Sequence, residues 1–229
     1  MVLTLSGIRK ERSRYLWFTD FISQFIGPAE ILPVCTVLYQ AGFRAIEVPL
    51  NSPEPLTSIK LARDTLQDDT LVGAGTVLDP AQAEAVLKTG ANLIVSPNVN
   101  ADVIRLSVAG GAVSLPGVMT PSESLAALDA GASGLKMFPA SILGSAGIAA
   151  IKAVLPSDTQ IYAVGGVSHD DFADYIAAGI RGFGLGSSIY RPGDTPEMVK
   201  VKALAVMAAY HKSRQHGQAV TFEVPDGRM

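Results

Sequence analysis

A single cysteine, Cys35, in 229 residues leaves no partner for an intramolecular disulfide and no thiolates for a cysteine-rich zinc site. That usage fits a reducing compartment, and the chain is read as cytoplasmic. Charge is also scarce, at 17% of residues, with 18 basic against 21 acidic for a formal net charge of −3. No run of lysines or arginines occurs, so the concentrated basic face that nucleic acid demands is missing. Histidine occurs three times, as His169, His211 and His216, at an expected helix start, a late helix and the tail. Those places give neither a metal triad nor an oriented base, and no metal is expected. Long apolar runs are absent too. The most charge-free stretches, 106–122 and 137–151, are interrupted by Gly, Pro and Ser and fall short of the roughly 18 residues of a membrane helix. Near the start, Arg9, Lys10, Arg12 and Arg14 precede an apolar patch at 15–18 in the manner of a signal peptide. Asp20 and Gln24 break the patch and no small-residue cleavage site follows, which argues against secretion. No Walker motif, dinucleotide fingerprint or HExxH occurs, so no cofactor is expected.

What is present is apolar and rhythmic. Hydrophobic residues make up 48% of the chain, enough for a core of its own. From about residue 28 short apolar runs ending in Gly, Pro or Ser alternate with Ala/Leu-rich helical stretches. The candidate strands are 44–50, 70–76, 92–97, 112–117, 134–139, 161–166 and 182–188, apolar on both faces as in a covered parallel sheet. Helix starts are marked by Pro80 after Asp79, Pro121 after Thr120, and Ser168 before Asp170 and Asp171. Helix stops are marked by Gly42, Gly90, Gly110, Gly131 and Gly179. An eighth strand, if the sheet closes, must lie in the irregular segment 15–26. Eight βα units in this length point to a single-domain α/β protein, a (β/α)8 TIM barrel with an irregular first strand, rather than an open sheet. The expected division is a divergent segment over 1–25, the barrel over 26–211 and a frayed tail over 212–229.

In such a barrel the chemistry sits at the C-terminal ends of the strands. Of the lysines, only Lys136 falls inside a strand run, and alternation puts it on one face with Phe138, opposite Leu135 and Met137. Burial disfavours the charged form of a lysine and yields the free amine that attacks carbonyls, so Schiff-base chemistry is the natural reading. The alternative is a lysine paired to a structural carboxylate or a bound phosphate. Glu47 is the one carboxylate within any run, on the face opposite Ile46, Val48 and Leu50, and it offers the proton shuttle that imine chemistry needs. Its blander role is to neutralise Lys136. The last two strands end in Val164-Gly165-Gly166-Val167 and Gly184-Leu185-Gly186-Ser187-Ser188, where barrels of this kind bind phosphate through backbone N–H groups. Gly73-Ala74-Gly75-Thr76 ends another strand. There Thr76 offers a hydroxyl to a substrate carboxylate, unless the glycines only mark a crowded barrel corner. Cys35 is expected in the core of the first helix.

At these residues the sequence resembles the 2-keto-3-deoxy-6-phosphogluconate (KDPG/KHG) aldolase family over about 26–192. The carriers are Ala41-Gly42-Phe43-Arg44-Ala45-Ile46-Glu47-Val48-Pro49-Leu50-Asn51-Ser52-Pro53, Gly73-Ala74-Gly75-Thr76-Val77-Leu78, Ser96-Pro97, Pro116-Gly117, Leu135-Lys136-Met137-Phe138-Pro139, Val164-Gly165-Gly166-Val167 and Gly186-Ser187. The resemblance implies a cofactor-free class I aldolase in which Lys136 forms the Schiff base and Glu47 is the general acid/base. It further implies that Thr76 and Pro97 line the pyruvyl site and that Gly165, Gly166, Gly186 and Ser187 hold the phosphate of a phosphorylated 2-oxo sugar acid. A homo-oligomer, a trimer as in relatives, is expected.

Two positions resemble the phosphogalactonate branch of that family. Val164 stands where the phosphogluconate enzymes usually carry Thr, and the second strand's signature ends in Pro49-Leu50-Asn51-Ser52-Pro53 where they usually carry Thr-Leu-Arg-Thr. An apolar side chain at 164 removes a polar partner from one C4 epimer, and such mismatches discriminate. The expected reaction is cleavage of 2-dehydro-3-deoxy-6-phospho-D-galactonate to pyruvate and D-glyceraldehyde 3-phosphate. The alternatives are the phosphogluconate epimer or 4-hydroxy-2-oxoglutarate as substrate, and a non-catalytic phosphate-binding barrel. One departure stands out: where the branch opens with Ile-Leu-Arg-Gly, this chain reads Ile22-Ser23-Gln24-Phe25. Gln24 replaces an arginine placed near the substrate carboxylate, a loss worth ~1.5–3 kcal/mol unless another residue supplies the charge.

Overall fold

A computed structural model describes residues 19–21 and 26–218. Strand and helix alternate as β1 (Thr19–Phe21), α1 (Pro28–Ala41), β2 (Ala45–Pro49), α2 (Pro55–Thr65), β3 (Leu71–Gly75), α3 (Pro80–Leu87), β4 (Leu93–Val95) and α4 (Ala101–Ala109). Then come β5 (Val113–Leu115), β6 (Gly117–Val118), α5 (Pro121–Asp129), β7 (Leu135–Met137), α6 (Ala140–Lys152), β8 (Ile161–Val164), a 3-10 turn (His169–Asp171), α7 (Phe172–Ala177), β9 (Gly182–Leu185) and α8 (Pro196–Gln218). The strands pair in parallel within two sheets, β2-β3-β4-β5 and β1-β9-β8-β7-β6.

The sheets are two halves of one barrel. β5 and β6 are a single strand interrupted at Pro116, which has no N–H to give a ladder, so the expected continuous strand over 112–117 is broken there. On the other side β1 lies against β2. Taken with Pro116 as one strand, β5 and β6 bring the count to the eight of a (β/α)8 barrel. The eighth strand expected within 15–26 is β1, in register with Phe183, Gly184 and Leu185 of β9. The other strands stop short of the expected runs because their closing residues leave the ladder to build the rim. Gly165 and Gly166 both turn into left-handed backbone, with φ 91 and 72.

The helix punctuation follows local chemistry. Asp79 accepts the Gln82 N–H at 2.8 Å, and Thr120 with Glu123 and Ser168 with Asp171 form capping boxes. Gly42, Gly90, Gly131 and Gly179 end helices with positive φ; Gly110 does not (φ −74), and the left-handed residue there is its neighbour Gly111. α8 runs on to Gln218, so the expected tail boundary at Lys212 falls inside a helix.

Two apolar clusters separate the layers. Ile46, Val48, Leu135, Met137 and Ala163 point outward to the helices, together with buried Cys35 of α1, whose thiol burial pushes up to about 12. Inside the barrel Ala45, Leu71, Leu93, Val95 and Leu115, joined by Val113 and Tyr162, form an apolar floor. Phe172 stacks on Phe183 at 4.0 Å and Tyr210 meets both edge-on, closing α7 and α8 over β9. Among the described residues no helix is long and apolar enough to cross a membrane.

Candidate active site

Strand alternation delivers the two ionisable side chains to the barrel interior. Glu47 lies two residues beyond Ala45 of the floor, on the same face, and is 1% exposed. Lys136 shares its register with Gly117 and with Tyr162 of the same interior, and is 5% exposed. Each is the middle residue of its strand.

The neighbours of Glu47 explain the glycines of β3. A Cβ on Gly75 would lie on the Glu47 carboxylate, overlapping Cδ and Oε2 and standing 2.5 Å from Oε1. Gly75 therefore leaves the space that the carboxylate fills. Gly73 is different: a Cβ there would strike the Leu93 backbone carbonyl, so it answers to barrel crowding. The two glycines of this strand end thus answer to different neighbours, two residues apart. Thr76, directly after it, adopts left-handed backbone at φ 58, a strained place for a β-branched residue and of a kind that clusters at functional sites.

Lys136 is held by aromatic contact. Its Nζ lies 4.7 Å from the centre of the Phe138 ring. The same ring also meets the glycine turn after β8, since a Cβ on Gly165 would stand 3.0 Å from its Cδ2 and Cε2. Phe138 thus connects the amine to a cavity of about 360 Å³ whose lining includes Phe138, Val164, Gly165, Gly166, Gly186 and Ser187. These six candidate residues are brought together. Asn51, Thr76 and Pro97 follow β2, β3 and β4 on the same rim without lining that cavity; Asn51 is exposed, and the Pro97 carbonyl packs on Gly117. Gln24 lies outside the described residues.

The cavity holds one charged residue that the strand ends did not point to, Arg191, beside Tyr190. Its only sequence signal is its place five residues beyond Gly186, in the loop after the last strand. The Tyr190 hydroxyl donates to Glu30 Oε1 at 3.2 Å; burial first, and then the Glu30 charge, pushes the phenol up to about 12. Asp194 accepts from Lys202 Nζ at 2.5 Å and from the Arg191 N–H at 2.7 Å, which holds its carboxyl below the ordinary range. His169 is exposed in the 3-10 turn, and among the described residues no cluster of His, Cys, Asp and Glu could hold a metal ion.

A buried amine against an aromatic ring, a buried carboxylate inside the same barrel and a glycine-lined cavity with one cation make a site able to form an imine with an anionic 2-oxo compound. Known proteins are similar to this chain in sequence and fold. A protein of Rhizobium meliloti (strain 1021) named "Probable 2-dehydro-3-deoxy-6-phosphogalactonate aldolase" is 56% identical over 183 residues, covering 80% of this chain and 86% of that one. The "2-dehydro-3-deoxy-6-phosphogalactonate aldolase" of Escherichia coli (strain K12) is 45% identical over 190 residues, 83% of this chain and 93% of that one. A solved structure described as "Native KDPGal structure" superposes with a TM-score of 0.83 at 43% identity, covering 86% of this chain and 97% of that one. The model of the family described as "KDPG and KHG aldolase" matches residues 25–204, and the chain belongs to that family.

Proposed function

We propose that this protein is a class I aldolase that cleaves 2-dehydro-3-deoxy-6-phospho-D-galactonate to pyruvate and D-glyceraldehyde 3-phosphate in galactonate catabolism. The observation that carries the reading is Lys136, an amine buried in the barrel interior against Phe138 and next to the glycine-lined cavity. Its nitrogen attacks C2 of the 2-oxo acid, and loss of water gives the imine. Glu47 takes the proton of the C4 hydroxyl as the C3–C4 bond breaks. The bonding pair passes into the imine as an enamine, and the aldehyde leaves. Protonation at C3 and hydrolysis then release pyruvate and restore the lysine.

Thr76 and Pro97 serve the pyruvyl end, with Asn51 on the rim above β2. Gly165, Gly166, Gly186 and Ser187 receive the phosphate. Val164, 1% exposed and on the cavity wall, meets the C4 region and favours the galactonate epimer. The enzyme acts in the cytoplasm as a homotrimer.

Borohydride reduction in the presence of pyruvate, followed by peptide mapping, tests the reading. A reduced pyruvyl adduct on Lys136, absent from Lys136→Ala, is the expected result. An intact, folded protein that traps no pyruvate would overturn it and leave a phosphate-binding barrel without lyase chemistry.

A further inference from the structure

Arg191 is the one charged side chain on the cavity wall; glycine backbone, two serines and apolar groups make up most of the rest. It belongs to the loop that carries Gly186 and Ser187, where the N–H groups of Ile189 and Tyr190 both donate to the Gly186 carbonyl, at 2.9 and 3.2 Å. The guanidinium is tied to that loop, because its Nε donates to the Ser187 carbonyl at 3.1 Å. One of its five N–H groups is used in this way.

The natural competitor for the others is Asp194, three residues along. Its Oδ2 is instead engaged by Lys202 Nζ at 2.5 Å and by the backbone N–H of Arg191 at 2.7 Å. Among the described residues no carboxylate forms an ion pair with Arg191. Lys202 rides on α8, which is fixed to the barrel through buried Val199, Ala203 and Val206. Its ammonium neutralises the one carboxylate that would otherwise capture the guanidinium.

We propose that Arg191 grips the phosphate end of the ligand in this cavity and that Lys202, by holding Asp194, is the positioning residue that keeps Arg191 available. The proposal rests on the phosphorylated-substrate reading above and adds to it the source of charge selectivity. Backbone N–H groups alone bind a phosphate dianion and a neutral hydroxyl by similar geometry. A planar guanidinium preorganised on the same loop discriminates strongly for the dianion. Lys202→Met would leave Asp194 charged beside Arg191 and draw the guanidinium off the cavity. Adding Asp194→Asn removes the competing charge while keeping an acceptor for the Arg191 N–H.

Calorimetric titration of the full chain with sn-glycerol 3-phosphate is the test. Arg191→Gln weakens binding by about tenfold to a hundredfold, the range for one charge-assisted hydrogen bond, and Arg191→Lys by less. Lys202→Met weakens binding as well, and Lys202→Met/Asp194→Asn recovers it, which a purely structural lysine would not do. Unaltered affinity in Arg191→Gln overturns the clamp, as does a wild-type protein that does not bind the probe. Failure of the double variant to recover overturns the role of Lys202. Pyruvate trapping on Lys136, run alongside, reads the aldolase assignment separately: if it fails while Arg191-dependent binding persists, the lyase reading falls and the phosphate clamp stands.

Discussion

Substituting Gly75 by Ala puts a single methyl group where the Glu47 carboxylate now sits. The ideal Cβ position overlaps Cδ and Oε2 and lies 2.5 Å from Oε1, so the carboxylate has to move by roughly the difference from ordinary contact, about 1 Å or more. The obstacle is the far end of a side chain rather than backbone, and a rotation about the Glu47 χ angles relieves it. The stability cost is therefore modest, ~1–3 kcal/mol as for other overpacked interiors. The catalytic cost is larger, because displacing a proton-transfer group by about 1 Å costs on the order of a hundredfold in kcat. A coupled assay for pyruvate release, together with thermal unfolding, measures both. Gly73→Ala supplies the contrast: its Cβ meets the Leu93 carbonyl carbon at 2.6 Å, with the oxygen nearer still, and neither strand can yield. That variant should lose the fold rather than the chemistry. A folded Gly75→Ala enzyme with kcat within about twofold of wild type would refute the placement of Glu47 as the proton shuttle.

Val164→Thr introduces a hydroxyl on the cavity wall and should shift the ratio of kcat/KM towards the gluconate epimer by about tenfold; parallel assays of both epimers measure it, and a fixed ratio would remove Val164 from epimer choice. Thr120→Ala deletes the cap of α5, whose hydroxyl accepts the Glu123 N–H at 3.2 Å, and should cost ~1 kcal/mol, seen as a Tm lower by about 2–4 °C. Stability should fall as pH rises from 10.0 to about 12, because folded Tyr190 keeps its proton to about 12 whereas the unfolded chain gives it up near the ordinary 10.0. Its contribution is intact below that window. Urea midpoints measured across the window should decline less in Tyr190→Phe than in wild type, and identical declines would show that burial of Tyr190 beside Glu30 has no such effect.

The barrel was legible because its signals are local and repeated. Asp79-Pro80, Thr120-Pro121 and Ser168 start helices by hydrogen bonds made within four residues, and they read the same in the sequence as in the structure. Period-two alternation places Lys136 with Phe138 and Glu47 away from Ile46 and Val48, and the two apolar layers of the barrel agree with it. The interruption at Pro116 was less plain, because an apolar run with one proline fits either a strand edge or a break, and only pairing decides. The tail expected from Lys212 begins as helix, because the glycine and polar residues there weaken an apolar pattern without ending the helical hydrogen bonds. Arg191 stayed hidden for a third reason. Its part depends on who holds Asp194, a partner eight residues further along on another element, and no short motif encodes a competition that has been prevented.

Glu47 stands on β2 and Lys136 on β7, which belong to different sheets. No ladder hydrogen bond joins them directly. Their separation is set on one side by the strand broken at Pro116 and on the other by β1 packed between β9 and β2. That is why single strands of sequence could name both groups while their spacing stayed a property of barrel closure. The floor beneath them, Ala45, Leu71, Leu93, Val95 and Leu115, fills the lower barrel with apolar side chains. The loops proposed to hold phosphate lie on the rim, where Gly166 and Arg191 are exposed and Gly165 is half-buried. On the proposed reading, a phosphate held there would cover that side of the interior and shield the Lys136 imine from water.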